Sequence, residues 1–399
     1  MHIDVNNAFL SWTAIDLLNK GYEIDIRTIE AVIGGDESKR RGIVLAKSPI
    51  AKKKGVKTAE TLMEARRKCQ DLKIYPPNHK WYSEMSAAVF EIISSYTPDV
   101  EILSVDECFI DYTGVYKLYG DPIEFAFQLK NEINTKLGFT VNIGIANNKL
   151  CAKMASDFEK PDRVHTLFDD EIEEKMYPLD IGELYGIGRK SAAKLKSLQI
   201  FTIGALASAS YEHLYKYFKN QTGSMIDRAK GIDYSQIITE AEERKGISNS
   251  TTFPYNLIKI EEIVFNLQKL VENLCIKLRR EEKYGYVIGV KIKDKYFNIY
   301  SHQRKLTNAT NSTEIVLKTA KELLLEMWNE EPIRLLGISI TSLDDKPKRQ
   351  ISLFEAEEEF IRNDALEKTV DKLKYTYGIH IIKKASLVDR NITKKANRG

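Results

Sequence analysis

No stretch of this 399-residue chain reads as a membrane span or an export leader. No apolar run approaches about 18 residues, and an acid already stands at Asp4, where a leader needs a basic and then an apolar segment. The expectation is a cytoplasmic protein. Cysteine is scarce, with four residues at 69, 108, 151 and 275 and no C-x-x-C spacing. That argues against a zinc site and for reduced, buried thiols. Neither sign of charge is in excess, because 60 Lys and Arg against 57 Asp and Glu leave +3. Affinity for nucleic acid therefore has to come from local basic patches rather than a global field. Tandem repeats and low-complexity tracts are absent, and the length points to roughly two to four domains.

The informative stretch is Ile102-Leu103-Ser104-Val105-Asp106-Glu107-Cys108-Phe109-Ile110-Asp111, taken with His2-Ile3-Asp4-Val5-Asn6. Two short β-prone runs flank Asp106 and Glu107, a hairpin pattern with the acids at or beside its tip. Alone, the dipeptide reads more readily as a solvated turn. Asp4 adds a third carboxylate, followed by a helical pattern from about Asn7 to Asn19. Three carboxylates on neighbouring strand ends repel one another unless a cation sits among them. Hard oxygen ligands select Mg²⁺ or Mn²⁺, and a pair of such ions is the device for in-line phosphoryl transfer.

Phe9 opens the helix beside Asp4. It is either plain core or a flat ring under a nucleotide sugar that leaves no room for a 2′-hydroxyl. Between Gly21 and Pro76 the chain is compact and basic, and a strand over Gly42–Lys47 feeds the lysine-rich Ser48-Pro49-Ile50-Ala51-Lys52-Lys53-Lys54. This run is either a solvated face or a holder for a triphosphate, with Lys52 the chosen contact. Helices are expected over Asn78–Ser95 and Pro122–Leu137, a strand over Phe139–Ala146, and a helix after Asn147 that ends before Pro161. Strands alternating with helices make an α/β catalytic domain whose sheet need not be all parallel.

Farther on, Leu184-Tyr185-Gly186-Ile187-Gly188-Arg189-Lys190 has the pattern of a helix-hairpin-helix. Gly186 and Gly188 would let backbone N–H groups approach a DNA phosphate, with Arg189 and Lys190 alongside, although a simple tight turn shares the pattern. A charged linker is expected over 238–246. Strands near 248–253, 286–293, 296–301 and 333–343, with helices near 260–280 and 313–328, form a β-α-β-β-α-β unit. Its free face, with Lys291, Lys293, Arg304, Lys305 and Arg334, is suited to a DNA backbone. In the tail, Gln350-Ile351-Ser352-Leu353-Phe354 sets an apolar pair in a polar context, which suits a peptide that docks in a partner's groove or one that folds back on its own domain. A helix is expected over 355–377.

In this order the pieces resemble bacterial Y-family DNA polymerases of the polymerase IV and V type over nearly the whole chain. Asp4-Val5-Asn6, Ser104 to Asp111, Gly144 to Asp157 and Lys160-Pro161 carry the likeness. The resemblance implies an α+β multidomain right-hand polymerase: palm at 1–20 and 76–165, fingers at 21–75 and a helical thumb with the helix-hairpin-helix at 166–237. A linker at 238–246, an α+β little finger domain at 247–345 and a tail at 346–399 follow. It implies that Asp4, Asp106 and Glu107 are the catalytic metal carboxylates and that the Val5 backbone also touches a metal. Phe9 becomes a steric gate against ribose, Lys160 reaches the triphosphate, and Gln350, Leu353 and Phe354 belong to a sliding-clamp peptide. The implied cofactor is a pair of Mg²⁺ ions, with Mn²⁺ as substitute, and the implied partners are primer–template DNA, dNTP and the clamp, for a monomeric enzyme of error-prone translesion synthesis. Two departures from the family pattern stand out, at three positions. Pro49 and Lys52 stand where many members have tyrosine and arginine, and lysine keeps the charge but loses the bidentate fork; Ala8 stands where an aromatic is usual. A non-catalytic DNA-binding accessory and a structure-specific nuclease are the alternatives.

Overall fold

The structure is a computed structural model that describes residues 1–36, 42–240, 243–345, 357–378 and 381–382. The chain forms two compact units, one within residues 1–241 and one from 242 onward.

The first unit begins with β1 (His2–Val5) and α1 (Ala8–Asn19), then β2 (Ala31–Gly34), β3 (Val44–Lys47), α2 (Pro49–Lys53), α3 (Leu62–Lys68) and β4 (Lys73–Tyr75). It continues with α4 (His79–Ser94), β5 (Val100–Ile102), β6 (Glu107–Ile110), α5 (Tyr116–Tyr119), α6 (Pro122–Leu137), β7 (Val141–Ile145), α7 (Lys149–Asp157) and β8 (Val164–Thr166). Four helices close it: α8 (Arg189–Ser197), α9 (Ile203–Ala207), α10 (Tyr211–Phe218) and α11 (Thr222–Ala229).

A five-stranded sheet in the order β5-β6-β1-β7-β8 carries the acids, and every neighbouring pair is antiparallel except β7 with β8. Alternation along β1 explains its composition. Ile3 and Val5 enter the core built with Tyr82, Phe125 and Phe139 under α4 and α6. His2 and Asp4 point the other way, where their side chains meet residues of α7 and the loop after it. Local rules hold at the helix starts: Asp121 accepts from Ile123 and Glu124 ahead of Pro122, and Ser48 accepts from Ala51 ahead of Pro49.

A small sheet in the order β3-β2-β4 has its own apolar cores, including Val32, Val44, Leu62 and Leu72. Of its strands, sequence patterning found only β3. β2, buried at all four residues, shows no alternation, and the three-residue β4 is too short for a period to register.

The second unit consists of β9 (Gly246–Leu257), α12 (Ile260–Arg280), β10 (Tyr284–Asp294), β11 (Ile299–Thr310), α13 (Thr313–Met327), β12 (Ile333–Asp344) and α14 (Glu357–Tyr377). Its sheet runs β11-β10-β12-β9, and α12 and α13 share one core with it. The expected strand near 248–253 extends to Leu257 through Pro254. A proline is tolerated there because β9 is an edge strand, and the register shifts beside it, between Ile333 and Leu335. Lys291 and Lys305 are exposed, but Arg304 is not free for DNA: Glu322 and Glu326 of α13 pair with it.

Helix α14 is tied to this unit by a buried charge. The Arg279 guanidinium, 5% exposed, binds Asp371 at 2.6 Å and Glu367 at 3.0 Å. Glu367 also accepts from the Thr313 backbone N–H at 3.0 Å and so caps α13, whose own N-cap Ser312 makes no side-chain bond. Gln350, Leu353 and Phe354 lie outside the described residues.

Candidate active site

The hairpin forms as read: β5 and β6 pair antiparallel, Asp106 sits in the turn, and Glu107 is the first residue of β6. Register then sets Asp4 opposite Glu107 across β1 and β6. The Val5 N–H donates to the Asp106 carbonyl at 2.9 Å, so the turn is stitched to the end of β1. The Asp106 carboxylate is engaged differently from the other two, accepting from Ser104 Oγ at 2.5 Å.

Two lysines meet Asp4 and Glu107. Lys153 Nζ lies 2.7 Å from Glu107 Oε1 and 3.5 Å from Asp4 Oδ2, while Lys160 Nζ lies 2.8 Å from Asp4 Oδ2 and 2.8 Å from Asp157 Oδ1. Burial pushes the Glu107 carboxyl up; Lys153 pulls it down and Asp4 adds to the rise. Burial works against the ammonium of Lys153, but Glu107, Asp157 and Asp4 outweigh it and hold its pKa above the ordinary lysine value. Lys160 is raised in the same way, with Asp4 and Asp157 overcoming burial.

His2 completes the floor. Ser156 Oγ donates to the Lys153 carbonyl, so it must accept from His2 Nδ1–H at 2.8 Å, which leaves Nε2 as a bare acceptor. Burial, with Lys153 and Lys160 adding to it, lowers His2 to about 2, so its 3.9 Å approach to Glu107 is between a neutral ring and a carboxylate. Buried Nε2 has no hydrogen-bond partner among the described residues.

The site is therefore rich in buried acceptors that want a positive neighbour, and its carboxylate oxygens are hard donors. Among the described residues no three His, Cys, Asp or Glu side chains are gathered as a cation cage. The donor set nonetheless fits a divalent cation, because Asp4 and Glu107 already hold a shared ammonium between them.

Phe9 lies at the start of α1, half-buried, with its ring stacked on Tyr82 at 4.6 Å and 10° and flanked by Trp12 and His79. Tyr82 is pinned by a 2.6 Å bond with Thr13 Oγ1, so the ring of Phe9 has a firm backing. Asn7, in the left-handed region at φ 50°, donates to the Lys47 carbonyl at 2.8 Å and ties β1–α1 to β3. Lys52 is exposed on α2, and among the described residues it makes no bond to the carboxylate network.

A polar web holds the loop that bears Lys160. Asn6 Oδ1 accepts from the Asp162 N–H, Asn142 Oδ1 from the Arg163 N–H, and buried Lys130 pairs with Asp162 at 2.8 Å. Sequence reasoning missed Lys153, His2 and this web. A signal for Lys153 was available: a lysine within Leu150-Cys151-Ala152-Lys153-Met154-Ala155 has apolar or small neighbours all round, and a buried cation needs a paired acid.

Elsewhere in the unit, Leu184 and Ile187 are buried while Gly186, Gly188, Arg189 and Lys190 are exposed together at the start of α8. Gly186 has φ +91°, and a Cβ there would meet Arg228 Nη1 at 2.2 Å.

Residues 3–157 match the impB/mucB/samB family, residues 244–353 the C-terminal domain of that family and residues 169–200 the IMS family HHH motif. The chain is 44% identical to a DNA polymerase IV of Clostridium acetobutylicum over 98% of both chains. It is 32% identical to DNA polymerase IV 1 of Bacillus subtilis, covering 98% of this chain and 94% of that one. Among solved structures, a Y-family DNA polymerase chimera superposes with a TM-score of 0.76 at 23% identity, over 86% of this chain and 99% of that one.

Proposed function

This chain belongs to the impB/mucB/samB family of Y-family DNA polymerases, and from that premise we propose that it copies damaged templates with low fidelity by two-metal nucleotidyl transfer. The observation that carries the reading is the facing pair Asp4 and Glu107, with Asp106 stitched beside them, on adjacent strands of one sheet. Asp4, Asp106, Glu107 and the Val5 carbonyl would hold two Mg²⁺ ions. When bound, such ions lower the pKa of a primer 3′-hydroxyl and neutralise the departing pyrophosphate.

The chain's own residues supply the rest. Lys160, on its braced loop, offers a charge to the triphosphate of an incoming dNTP, and Lys52 offers a second from α2. Phe9, backed by Tyr82, stands against the sugar. The backbone at Gly186 and Gly188, with Arg189 and Lys190, grips a phosphate of the primer–template duplex without reading sequence. We assign palm, fingers, thumb and little finger to 1–20 with 76–165, 21–75, 166–237 and 247–345. The protein acts as a cytoplasmic monomer that docks on a sliding clamp through Gln350, Leu353 and Phe354.

Primer extension on an undamaged and an abasic template, with each dNTP singly and Mg²⁺, tests the reading. Incorporation opposite both is expected; tight primer–template binding with silence on both would leave an accessory protein, and primer shortening without dNTPs a nuclease.

Two residue-level outcomes follow. Phe9→Ala removes the ring but leaves Tyr82 held by Thr13, so the fold survives and ribonucleotide use rises roughly a hundredfold relative to deoxynucleotide use. An unchanged ratio of the two kcat/KM values would rule out the gate. Replacing Leu353 and Phe354 by alanine should leave extension of a short primer intact and remove stimulation by a loaded clamp. Clamp pull-down that survives the change would move the docking peptide elsewhere.

A further inference from the structure

Lys153 is the buried charge for which the reaction so far has no use. Its side chain is 8% exposed, and its ammonium is shared by Glu107 and Asp4 at 2.7 and 3.5 Å, with Asp157 of its own helix at 3.6 Å. Lys160, 35% exposed on a loop, differs in that it reaches Asp4 from the rim. Helix α7 holds the Lys153 backbone firmly: Asn148 caps its start at Cys151 N–H, and Ser156 Oγ closes back onto the Lys153 carbonyl. The four-carbon stem leaves the ammonium as the part that can move.

The carboxylates that hold this ammonium are the ones assigned to a divalent ion under the polymerase reading, on which this inference rests. A carboxylate that gives its charge to a divalent ion holds a neighbouring ammonium less strongly, and the two cations repel each other at a few ångströms in a poorly solvated site. Conversely, without a cation the buried Asp4 and Glu107 charges would drive each other apart across β1 and β6.

We propose that Lys153 is a built-in counter-cation: it holds Asp4 and Glu107 in register until a divalent ion arrives, and the ion's entry displaces its ammonium from them. It is a positioning residue that sets the threshold for metal entry. Lys153 thus competes with the metal, and that sign separates it from a structural lysine. Loss of a structural prop loosens a metal site, whereas loss of a competitor tightens it.

The test is Mn²⁺ binding to the full chain without DNA or nucleotide, with free Mn²⁺ read by electron paramagnetic resonance, in wild type and Lys153→Met. The variant is expected to bind Mn²⁺ at least about tenfold more tightly. In parallel, acetylation of Lys153 in the wild-type chain, followed by peptide mass spectrometry, is expected to rise as Mn²⁺ saturates; this arm decides alone if the variant does not fold. Equal or weaker binding by a folded variant, or labelling of Lys153 indifferent to Mn²⁺, overturns the proposal. Asp106→Ala separates the two levels of argument. Mn²⁺ binding that this change removes but Lys153→Met leaves untouched defeats only the counter-cation role. Absence of Mn²⁺ binding in wild type and both variants, with labelling unmoved, defeats the metal reading along with it.

Discussion

Asp106→Ala is expected to slow nucleotide incorporation by on the order of a thousandfold or more while primer–template affinity stays within a few-fold of wild type. Of the three carboxylates, Asp106 is the one whose removal disturbs the protein least. Asp4 and Glu107 pair with the braced Lys160 and the buried Lys153, so deleting either takes the nearest or an equally near acid from a lysine and leaves that charge less well compensated. The Asp106 side chain contacts Ser104, and the bond that fastens its turn to Val5 comes from its backbone carbonyl. Alanine keeps that bond. A loss of rate then reports on chemistry and not on folding, provided the melting temperature is unchanged. Single-turnover incorporation within about tenfold of wild type would remove Asp106 from the reacting centre.

The second large effect lies beneath the site. At Gly144, the fourth of five residues in β7, a Cβ would meet the Ala152 carbonyl oxygen at 2.0 Å and the Ser156 N–H nitrogen at 2.5 Å. Both obstacles are backbone, so no rotamer change relieves them, and α7 must lift from the sheet. Gly144→Ala is expected to cost about 3 kcal/mol or more, a drop of about 6–12 °C in the melting of the first unit. The displaced helix is the one that carries Lys153 and the Ser156 partner of His2, so incorporation falls as well. Calorimetry that shows a wild-type transition would mean that β7 and α7 approach less closely than described.

Much of this was legible in the residues. The α6 bounds, Pro122–Leu137, could be read from Asp121, Pro122 and the closing Gly138, and α12 from the spacing of Ile263, Leu267, Leu270, Leu274 and Leu278. The hairpin around Asp106 and Glu107 was visible because two apolar runs flank a polar interruption. What escaped has a physical cause in each case. Strand β2 is buried on both faces and so does not alternate, β4 has only three residues, and their pairing is parallel and non-local. β9 runs through a proline because its outer edge needs no partner, a property of sheet order and not of sequence. Arg304 looked available for DNA because its partners Glu322 and Glu326 belong to a helix that residue spacing cannot aim. At the site, the acids could be read from their types and Lys160 from the family likeness, but Lys153 could not, since its pairing with Glu107 crosses 46 positions. The fold brings them together through α7, and only the uniformly small or apolar neighbours of Lys153 hinted that it was buried.

The Arg279 anchor bears on the order in which the second unit is assembled. During synthesis its guanidinium leaves the ribosome 92 residues ahead of Asp371 and 88 ahead of Glu367. Until those residues emerge, the groove between α12 and α13 holds a cation without its anions, and the first turn of α13 has no Glu367 at its Thr313 amide. Vectorial translation therefore defers closure of this unit to the last helix, so a nascent chain stalled before residue 367 presents quality-control factors with an unfinished domain although every strand of its sheet has already been made.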